Sequence, residues 1–350
     1  MKRSMAVTIR PGSGVADQTS AIALFARHLN PRYDAERFEW LYRRNPAGAG
    51  QLWLAVDGET EEVVGTAGVF PRVFSVAGRD IVCWALGDFC VAEGYRALGP
   101  ALKLQRACLA PAAEPGGGFC YDFPSQAMMT VYRRLGITPS GQVRRFVKLL
   151  RVDGKISALA GLPRIGKAIG WLLNGILALR DHRRSTPAGL TVALHEGWCG
   201  EEFSRLAESE SRWYGVCVKR TAGYLDWRYL ANPVERHEIL TARLAGRLVA
   251  YAVLTCSRNQ ATLVDLFGTP EISVLGSLIR ATAAVARRRG SESLSVFVRE
   301  SHPWADMFDR LGFVPRESSP FVMALGDKCE ATGAAVEPSN LFLMHGDRDS

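Results

Sequence analysis

Residues 38–46 read FEWLYRRNP and residues 225–233 read LDWRYLANP, so that Trp, Tyr, Asn and Pro recur in one register. VVGTAGV at 63–69 parallels LVAYAVL at 248–254, each after a polar turn, Asp57-Gly58 in one and Ala245-Gly246 in the other. YRRLGI from Tyr132 parallels FDRLGF from Phe308. Three landmarks in the same order constrain the chain to two copies of one fold, and 350 residues suffice for two domains that each bury a core.

Both copies share a coarse plan. A helical part, about 17–44 in the first and 201–230 in the second, precedes a β meander. Strands are expected at 52–56, 63–75 and 81–91 in the first copy and at 238–244, 248–256 and 261–268 in the second. A further helix, a strand (117–123 and 293–299) and a last helix (125–136 and 304–311) follow. An antiparallel start leading into strand–helix alternation predicts a mixed, mostly antiparallel α/β sheet flanked by helices.

The run from Asp88 to Leu109, DFCVAEGYRALGPALKLQRACL, carries the most specific chemistry. A strand-like segment breaks at Arg96-Ala97-Leu98-Gly99-Pro100-Ala101 and resumes as a helix with Leu102, Leu104, Ala107 and Cys108 on a packed face and Lys103, Gln105 and Arg106 on a wet one. A helix start leaves its first N–H groups unpaired and carries partial positive charge, which suits a pyrophosphate. Gly99 lacks a Cβ and lets the backbone approach such a group closely, while Arg96 adds a charge. Pro100 removes one N–H donor but suits a first helical turn.

This hexapeptide resembles the Q/R-x-x-G-x-G/A acyl-CoA signature of the GNAT acetyltransferases. The strand, helix and YRRLGI that follow resemble the family's next strand and its Y-x-x-x-G-F ending, with Ile137 in place of the aromatic residue. The resemblance implies two tandem GNAT-like domains and acetyl-CoA or another acyl-CoA as co-substrate. It implies that backbone N–H groups of Leu98, Gly99 and Ala101 hold the phosphates beside Arg96, Ala97 and Pro100, and that Phe89 and Val91 pair with the pantetheine arm like an added strand.

The same resemblance places Tyr132 where a last-helix tyrosine faces the CoA sulfur as general acid. Phe308 holds the matching place in the second copy without a hydroxyl, so packing alone also accounts for the ring. Asp88, near the position of a β4 carboxylate in that family, is the candidate base, with apolar Leu86, Phe89 and Val91 around it to raise its pKa. Asp265 in the matching strand leaves a structural role for Asp88 open. Asp122 and Glu93 are the alternatives, and in many GNAT enzymes an ordered water relays the proton.

Where the first copy has RALGPA, the second reads TPEISVLGSL at 269–278, with no basic residue and no matching glycine spacing. One acyl-CoA site is therefore expected, in the first copy, while the second supports the fold and helps shape the acceptor cleft. The expected organisation is an N-terminal domain at 1–152, a linker at 153–188 and a C-terminal domain at 189–350. Within the linker, 156–180 reads as an amphipathic helix that packs Trp171, Leu172, Ile176 and Leu179 onto the domains or rests on anionic lipid as a peripheral membrane contact. Its longest apolar portion is interrupted by Asn174 and is too short to span a bilayer.

Trp40, Tyr42, Asn45 and Pro46 suit a sugar or peptide site, yet they recur in a copy without the loop. That recurrence assigns them to closing a helix and anchoring it to the sheet. Phe70, Pro71, Arg72, Trp84, Phe123, Trp213 and Tyr214 are candidate linings of the acceptor cleft, and 340–347 reads as one more strand or a docked tail.

Composition narrows the classes further. The hydrophobic content of 47% and charged content of 22% are those of a globular protein, and no apolar segment follows Met1-Lys2-Arg3 to make a secretory signal. Eight scattered cysteines and six histidines form no metal-binding spacing, so no metal is expected, and a cytoplasmic, reducing setting fits. The +8 charge is spread over short, separated basic runs, which argues against a nucleic-acid surface. The sequence thus predicts an N-acyltransferase, most simply an N-acetyltransferase, acting on an amine of a small molecule. A tail resembling those of GNAT-like proteins in polysaccharide clusters points to an amino sugar. A FemAB-like aminoacyl transferase using charged tRNA and a non-catalytic acyl-CoA-binding protein are the alternatives; acyl length and oligomeric state are left open.

Overall fold

The computed structural model describes residues 7–96, 98–113, 118–151, 186–300, 302, 304–325 and 336–348. In the first copy, β1 (Val7–Pro11), α1 (Gly14–His28) and α2 (Ala35–Tyr42) precede a meander of β2 (Gln51–Asp57), β3 (Val63–Val76) and β4 (Arg79–Val91). The Asp34 side chain caps α2 by accepting the Arg37 N–H. Then come α3 (Leu98–Ala113), β5 (Phe119–Asp122), α4 (Gln126–Arg134) and β6 (Gly141–Leu149). Helix α4 is capped by Ser125 and followed by Gly136 at φ +80°, a left-handed position that glycine adopts without strain.

The second copy repeats the order with β7 (Leu190–Leu194), α5 (Glu201–Glu210), β8 (Val216–Val218) and α6 (Ala222–Leu225), which runs into a π-helical turn, Asp226–Leu230. Strands β9 (His237–Leu244), β10 (Arg247–Ser257) and β11 (Gln260–Gly268) form its meander. Helix α7 (Ile272–Arg288), β12 (Ser293–Arg299), α8 (Ala305–Arg310), β13 (Val314–Leu325) and β14 (Leu341–Phe342) complete it. The expected linker helix at 156–180 lies outside the described residues. Among the described residues no helix is long and apolar enough to cross a membrane.

The strands form one sheet in the order β1-β2-β3-β4-β5-β13-β6-β12-β11-β10-β9-β7. Adjacent pairs are antiparallel except β4 with β5 and β11 with β12. Read outward from its centre, the order is the same on both sides, so the two copies are related by a pseudo-twofold. The centre itself is exchanged. Strand β13, which follows the last helix of the second copy, pairs with β5 of the first through Val322–Leu325 and with β6 through its earlier residues. Strand β6, which follows the last helix of the first copy, pairs with β12 of the second.

The repeated motif lies on this pseudo-axis. Trp40 Nε1 donates to the Trp227 carbonyl at 2.7 Å and Trp227 Nε1 donates to the Trp40 carbonyl at 2.9 Å, with the two rings stacked 5.2 Å apart. Each motif asparagine closes its turn, Asn45 Oδ1 accepting from Ala47 N and Asn232 Oδ1 from Val234 N. The tryptophans therefore anchor the copies to each other, which the reading of each motif within its own copy did not include.

Two apolar cores flank the first copy's strands. One face packs against α3 and α4 through Leu104, Cys108, Met129 and Tyr132; the other joins α1, α2 and the second copy into a continuous core that includes Phe25, Phe38, Trp40, Phe70 and Trp227.

Candidate functional site

Strands β4 and β5 pair only at Trp84 with Cys120 and Ala85 with Tyr121. Beyond those residues β4 continues to Val91 while β5 ends at Asp122, so the sheet splits. The split opens into a cavity of about 850 Å³ lined from both faces of the sheet. From the α3 and α4 side come Ala101, Gln105, Cys108, Met128 and Val131; from the α1 and α2 side come His28, Asn30, Tyr33 and Arg37. The cavity is thus a passage through the sheet.

Strand β4 is bulged beside this passage. Its register against β3 slips between the Thr66–Cys90 and Gly68–Gly87 pairs, and Asp88 sits in the left-handed region at φ +47°. The bulge turns the buried Asp88 carboxylate toward the α1–α2 side, where Oδ2 accepts the Tyr33 hydroxyl at 2.6 Å. Burial and this carboxylate push the Tyr33 hydroxyl far above its ordinary range, so it keeps its proton. Arg37 lies over the Tyr33 ring at 4.8 Å. Just past the bulge, the Ala92 N–H pairs with Val64 on β3 at 2.8 Å. By strand alternation the Val91 N–H then points the other way, into the split.

On the opposite face, Tyr132 is fully buried. Its hydroxyl donates to Asp122 Oδ2 at 2.7 Å and accepts from Gln105 Nε2 at 3.0 Å. Asp122 and Gln105 line the cavity, and Tyr132 stands behind them. Burial raises Asp122 to about 6, against the lowering effect of the Tyr132 hydrogen bond. Desolvation and the neighbouring Asp122 push Tyr132 well above the ordinary tyrosine range.

The loop before α3 runs as a short 3-10 turn, Glu93–Tyr95, into Arg96, whose Nε donates to the Val91 carbonyl at 3.3 Å and which lines the cavity. Ala97 lies outside the described residues. Leu98 and Gly99 open α3, and a Cβ built on the exposed Gly99 would meet nothing within 4 Å. The side of the first turn at Gly99 is therefore open, with half-buried Pro100 next and Ala101 in the cavity wall. Phe89 and Val91 also line the cavity. Glu93 is exposed in its turn and is not among the cavity-lining residues, so that alternative base has no access to the passage. Of the side chains proposed for the acceptor cleft, Phe123 lines it; Phe70 and Arg72 are core residues, and Trp213 is exposed.

The second copy splits in the same way and is closed. β11 and β12 pair only from Gln260–Leu263 to Ser293–Val296, and the turn His345–Asp347 packs into the gap beyond. His345 stacks on Phe297 at 4.7 Å. Asp347 meets Arg220 Nη2 at 2.8 Å, and Arg220 Nε reaches both oxygens of Asp265 at 3.0 and 3.1 Å, all three side chains being fully buried. Asp265 is thus a structural counterpart of Asp88. After filling the second gap the tail reaches the first: Arg348 lines the open cavity, its guanidinium 4.6 Å from the Phe123 ring and 5.7 Å from the Phe297 ring. Sequence reasoning missed Tyr33, His28, Arg37 and Arg348, since each reaches the passage from a distant segment with no local signature; Gln105, expected on the wet face of its helix, is instead buried and lines the cavity. Among the described residues no group of three or more His, Cys, Asp or Glu could hold a metal ion.

Residues 16–139 match the family model of the acetyltransferase (GNAT) domain. Among solved structures, the fold is similar to a conserved protein of unknown function from Enterococcus faecalis described as a probable N-acyltransferase. That match has 13% identity and a TM-score of 0.66, covering 91% of this chain and 72% of the other. It is similar to a GCN5-related N-acetyltransferase from Anabaena variabilis, at 12% identity and a TM-score of 0.66 over 94% and 75% of the two chains. A third, at 13% identity, a TM-score of 0.56 and 93% and 80% coverage, is Saccharomyces cerevisiae N-myristoyltransferase with bound myristoyl-CoA. No curated protein matches.

Proposed function

We propose that this chain, which belongs to the GNAT superfamily and carries its fold twice in tandem, is an acyl-CoA-dependent N-acyltransferase working through its first copy. The observation that carries the reading is the single open split: a passage through the sheet leads from the α3 N-terminus to the bulged carboxylate, while the matching split is filled by the chain's own tail.

The pyrophosphate lies on the N–H groups of Leu98, Gly99 and Ala101 with Arg96 beside it. The pantetheine follows β4, supplying the strand pairing that β5 abandons and taking the Val91 N–H; Phe89 extends this contact. The acceptor enters from the α1–α2 side. Its nitrogen attacks the thioester carbon, Asp88 takes the proton directly or through a water, and the C–S bond breaks. Tyr132 returns a proton to the departing thiolate, which requires its hydroxyl to turn from Asp122. The tyrosinate left behind takes a proton back from solvent through the passage as Asp88 releases the one it took, and the restored hydroxyl returns to Asp122 for the next cycle. The acceptor is a primary amine of a small molecule, an amino sugar being the first class to screen, and acetyl-CoA the first donor.

Calorimetric titration of acetyl-CoA and longer acyl-CoAs tests this. Gly99→Trp projects into open space and leaves the fold intact, yet should weaken binding by about 30-fold, ~2 kcal/mol, by occupying the phosphate position. Absence of acyl-CoA binding by the native protein would overturn the reading and turn attention to charged tRNA.

A further inference from the structure

The acceptor side of the passage has more cationic and donor groups than an uncharged amine needs. Arg348 arrives there from the C-terminal tail, its guanidinium held between Phe123 and Phe297. Among the described residues no carboxylate stands within ion-pair distance of it. Burial pulls its proton affinity down, and only the more remote Asp122 works against that. Two further groups line the same cavity: His28, whose Nε2 is buried without a hydrogen-bond partner, and Arg37, whose Nε is likewise buried without one.

The position of Arg348 is built rather than incidental. Its carbonyl accepts from Arg228, the preceding Asp347 is locked on Arg220, and the Asp347 carbonyl accepts the Tyr121 hydroxyl at 2.9 Å. A desolvated guanidinium pinned between two rings is costly to keep unless an anion completes it. Phe123 shares its core with Tyr121 and Phe321, away from the α3 and α4 face, so Arg348 stands on the side where the acceptor enters and away from the loop that suits the cofactor's phosphates.

From this cluster we infer that the acceptor amine also carries an anionic group, a carboxylate or a phosphate, and that Arg348 is the specificity-determining residue that receives it. The amine end faces Asp88 and the anionic end faces Arg348, with Arg37 and His28 as further donors. The inference rests on the acyltransferase reading and narrows its substrate class to amino acids, amino sugar phosphates and related zwitterionic amines.

The test is CoA release from acetyl-CoA in the presence of paired acceptors: the common amino acids against their amides, and glucosamine 6-phosphate and 2-aminoethyl phosphate against glucosamine and ethanolamine. Preference within the amino acid pairs identifies a carboxylate and within the phosphate pairs a phosphate. The expected result is a preference for the anionic member that Arg348→Gln reduces by about 30-fold, mainly through KM, with Arg348→Lys recovering part of it. Acetyl-CoA binding by calorimetry should be unchanged in both variants. Native protein that binds acetyl-CoA but uses neutral amines equally well, or keeps its preference in Arg348→Gln, overturns the inference and leaves the acyltransferase reading standing. Native protein that does not bind acetyl-CoA overturns both. If none of these amines is acylated, inorganic phosphate and acetate should each be titrated into the acetyl-CoA complex; neither raising the melting temperature of native protein above that of Arg348→Gln overturns the inference as well.

Discussion

Replacing Arg220 by Met should be among the most damaging single changes available to this chain, and the reason is charge counting. One guanidinium stands between two carboxylates, Asp265 and Asp347, with all three side chains fully buried. The group is short of one positive charge, and burial accordingly raises Asp347, with Arg220 opposing that rise. Met leaves two buried carboxylates facing each other, and removing one partner from a buried ionic group costs about 3–5 kcal/mol; the second stranded carboxylate puts this case at the upper end.

The aspartates are not equivalent to Arg220 or to each other. Asp347→Asn leaves a balanced Arg220–Asp265 pair and keeps an oxygen to accept the Met344 N–H at 2.8 Å, so its cost should be about 1 kcal/mol. Asp265 accepts Arg220 Nε with both oxygens and also the Tyr251 hydroxyl and the Leu266 N–H. An amide there sets donor against donor, and about 2–3 kcal/mol should be lost. Urea unfolding at pH 7, followed by circular dichroism, should give the order Arg220→Met, then Asp265→Asn, then Asp347→Asn. The triple variant Arg220→Met, Asp265→Leu, Asp347→Leu should be more stable than Arg220→Met alone, because no unpaired charge stays buried. If Asp347→Asn costs as much as Arg220→Met, or Arg220→Met unfolds within about 1 kcal/mol of native protein, the charge argument is wrong.

Three further outcomes are expected. With Asp122 raised to about 6, kcat/KM should decline as pH falls through that value, because the protonated carboxyl no longer holds the Tyr132 hydroxyl as an acceptor; Tyr132→Phe and Asp122→Asn should each lower activity and abolish that decline, and a decline that persists in either variant would refute the assignment. Burial lowers His237 and His302 to about 4 and His345 to about 3, so between pH ~6.5 and ~4 the unfolded chain binds more protons than the folded one and stability falls as pH falls. The slope should approach about 4 kcal/mol per pH unit for three groups, and denaturant midpoints flat across that window would contradict it. Trp40→Phe removes the hydrogen bond to the Trp227 carbonyl and should cost about 2 kcal/mol, as should Trp227→Phe by the pseudo-symmetry; thermal unfolding within ~0.5 kcal/mol of native for either would refute the reciprocal anchor.

What the sequence made legible is what is locally encoded. The meander strands were placed by apolar runs bounded by polar turns such as Asp57-Gly58, and α4 by Ser125 before it and Gly136 after it. The proposed cofactor loop is legible because a strand end, a glycine and a helix start must be consecutive to cradle phosphates. Partnership is different. Nothing in GQVRRFVKL says that β6 pairs with β12 rather than remaining beside β5, because alternation fixes which face a residue takes and not which strand lies alongside. The acceptor side was illegible for the same reason: Tyr33 reaches Asp88 from 55 positions away, and Arg348 arrives only once the tail has been routed through the other copy. The Trp40 motif was assigned correctly to architecture by its recurrence, but its partner, the other motif, is visible only when the copies meet.

The exchange of β6 and β13 bears on how the chain is made. A ribosome delivers the first copy's loop, its two long meander strands and α4 well before it delivers β13, which borders β5. Until residues 314–325 emerge, β5 lacks the strand that pairs with it on the side away from the split, and the tail that brings Arg348 comes later still. The half proposed to be catalytic is thus completed last, by the half in which no cofactor loop is proposed. A truncated or stalled chain cannot display a working site, and no cut between the copies yields two self-sufficient pieces.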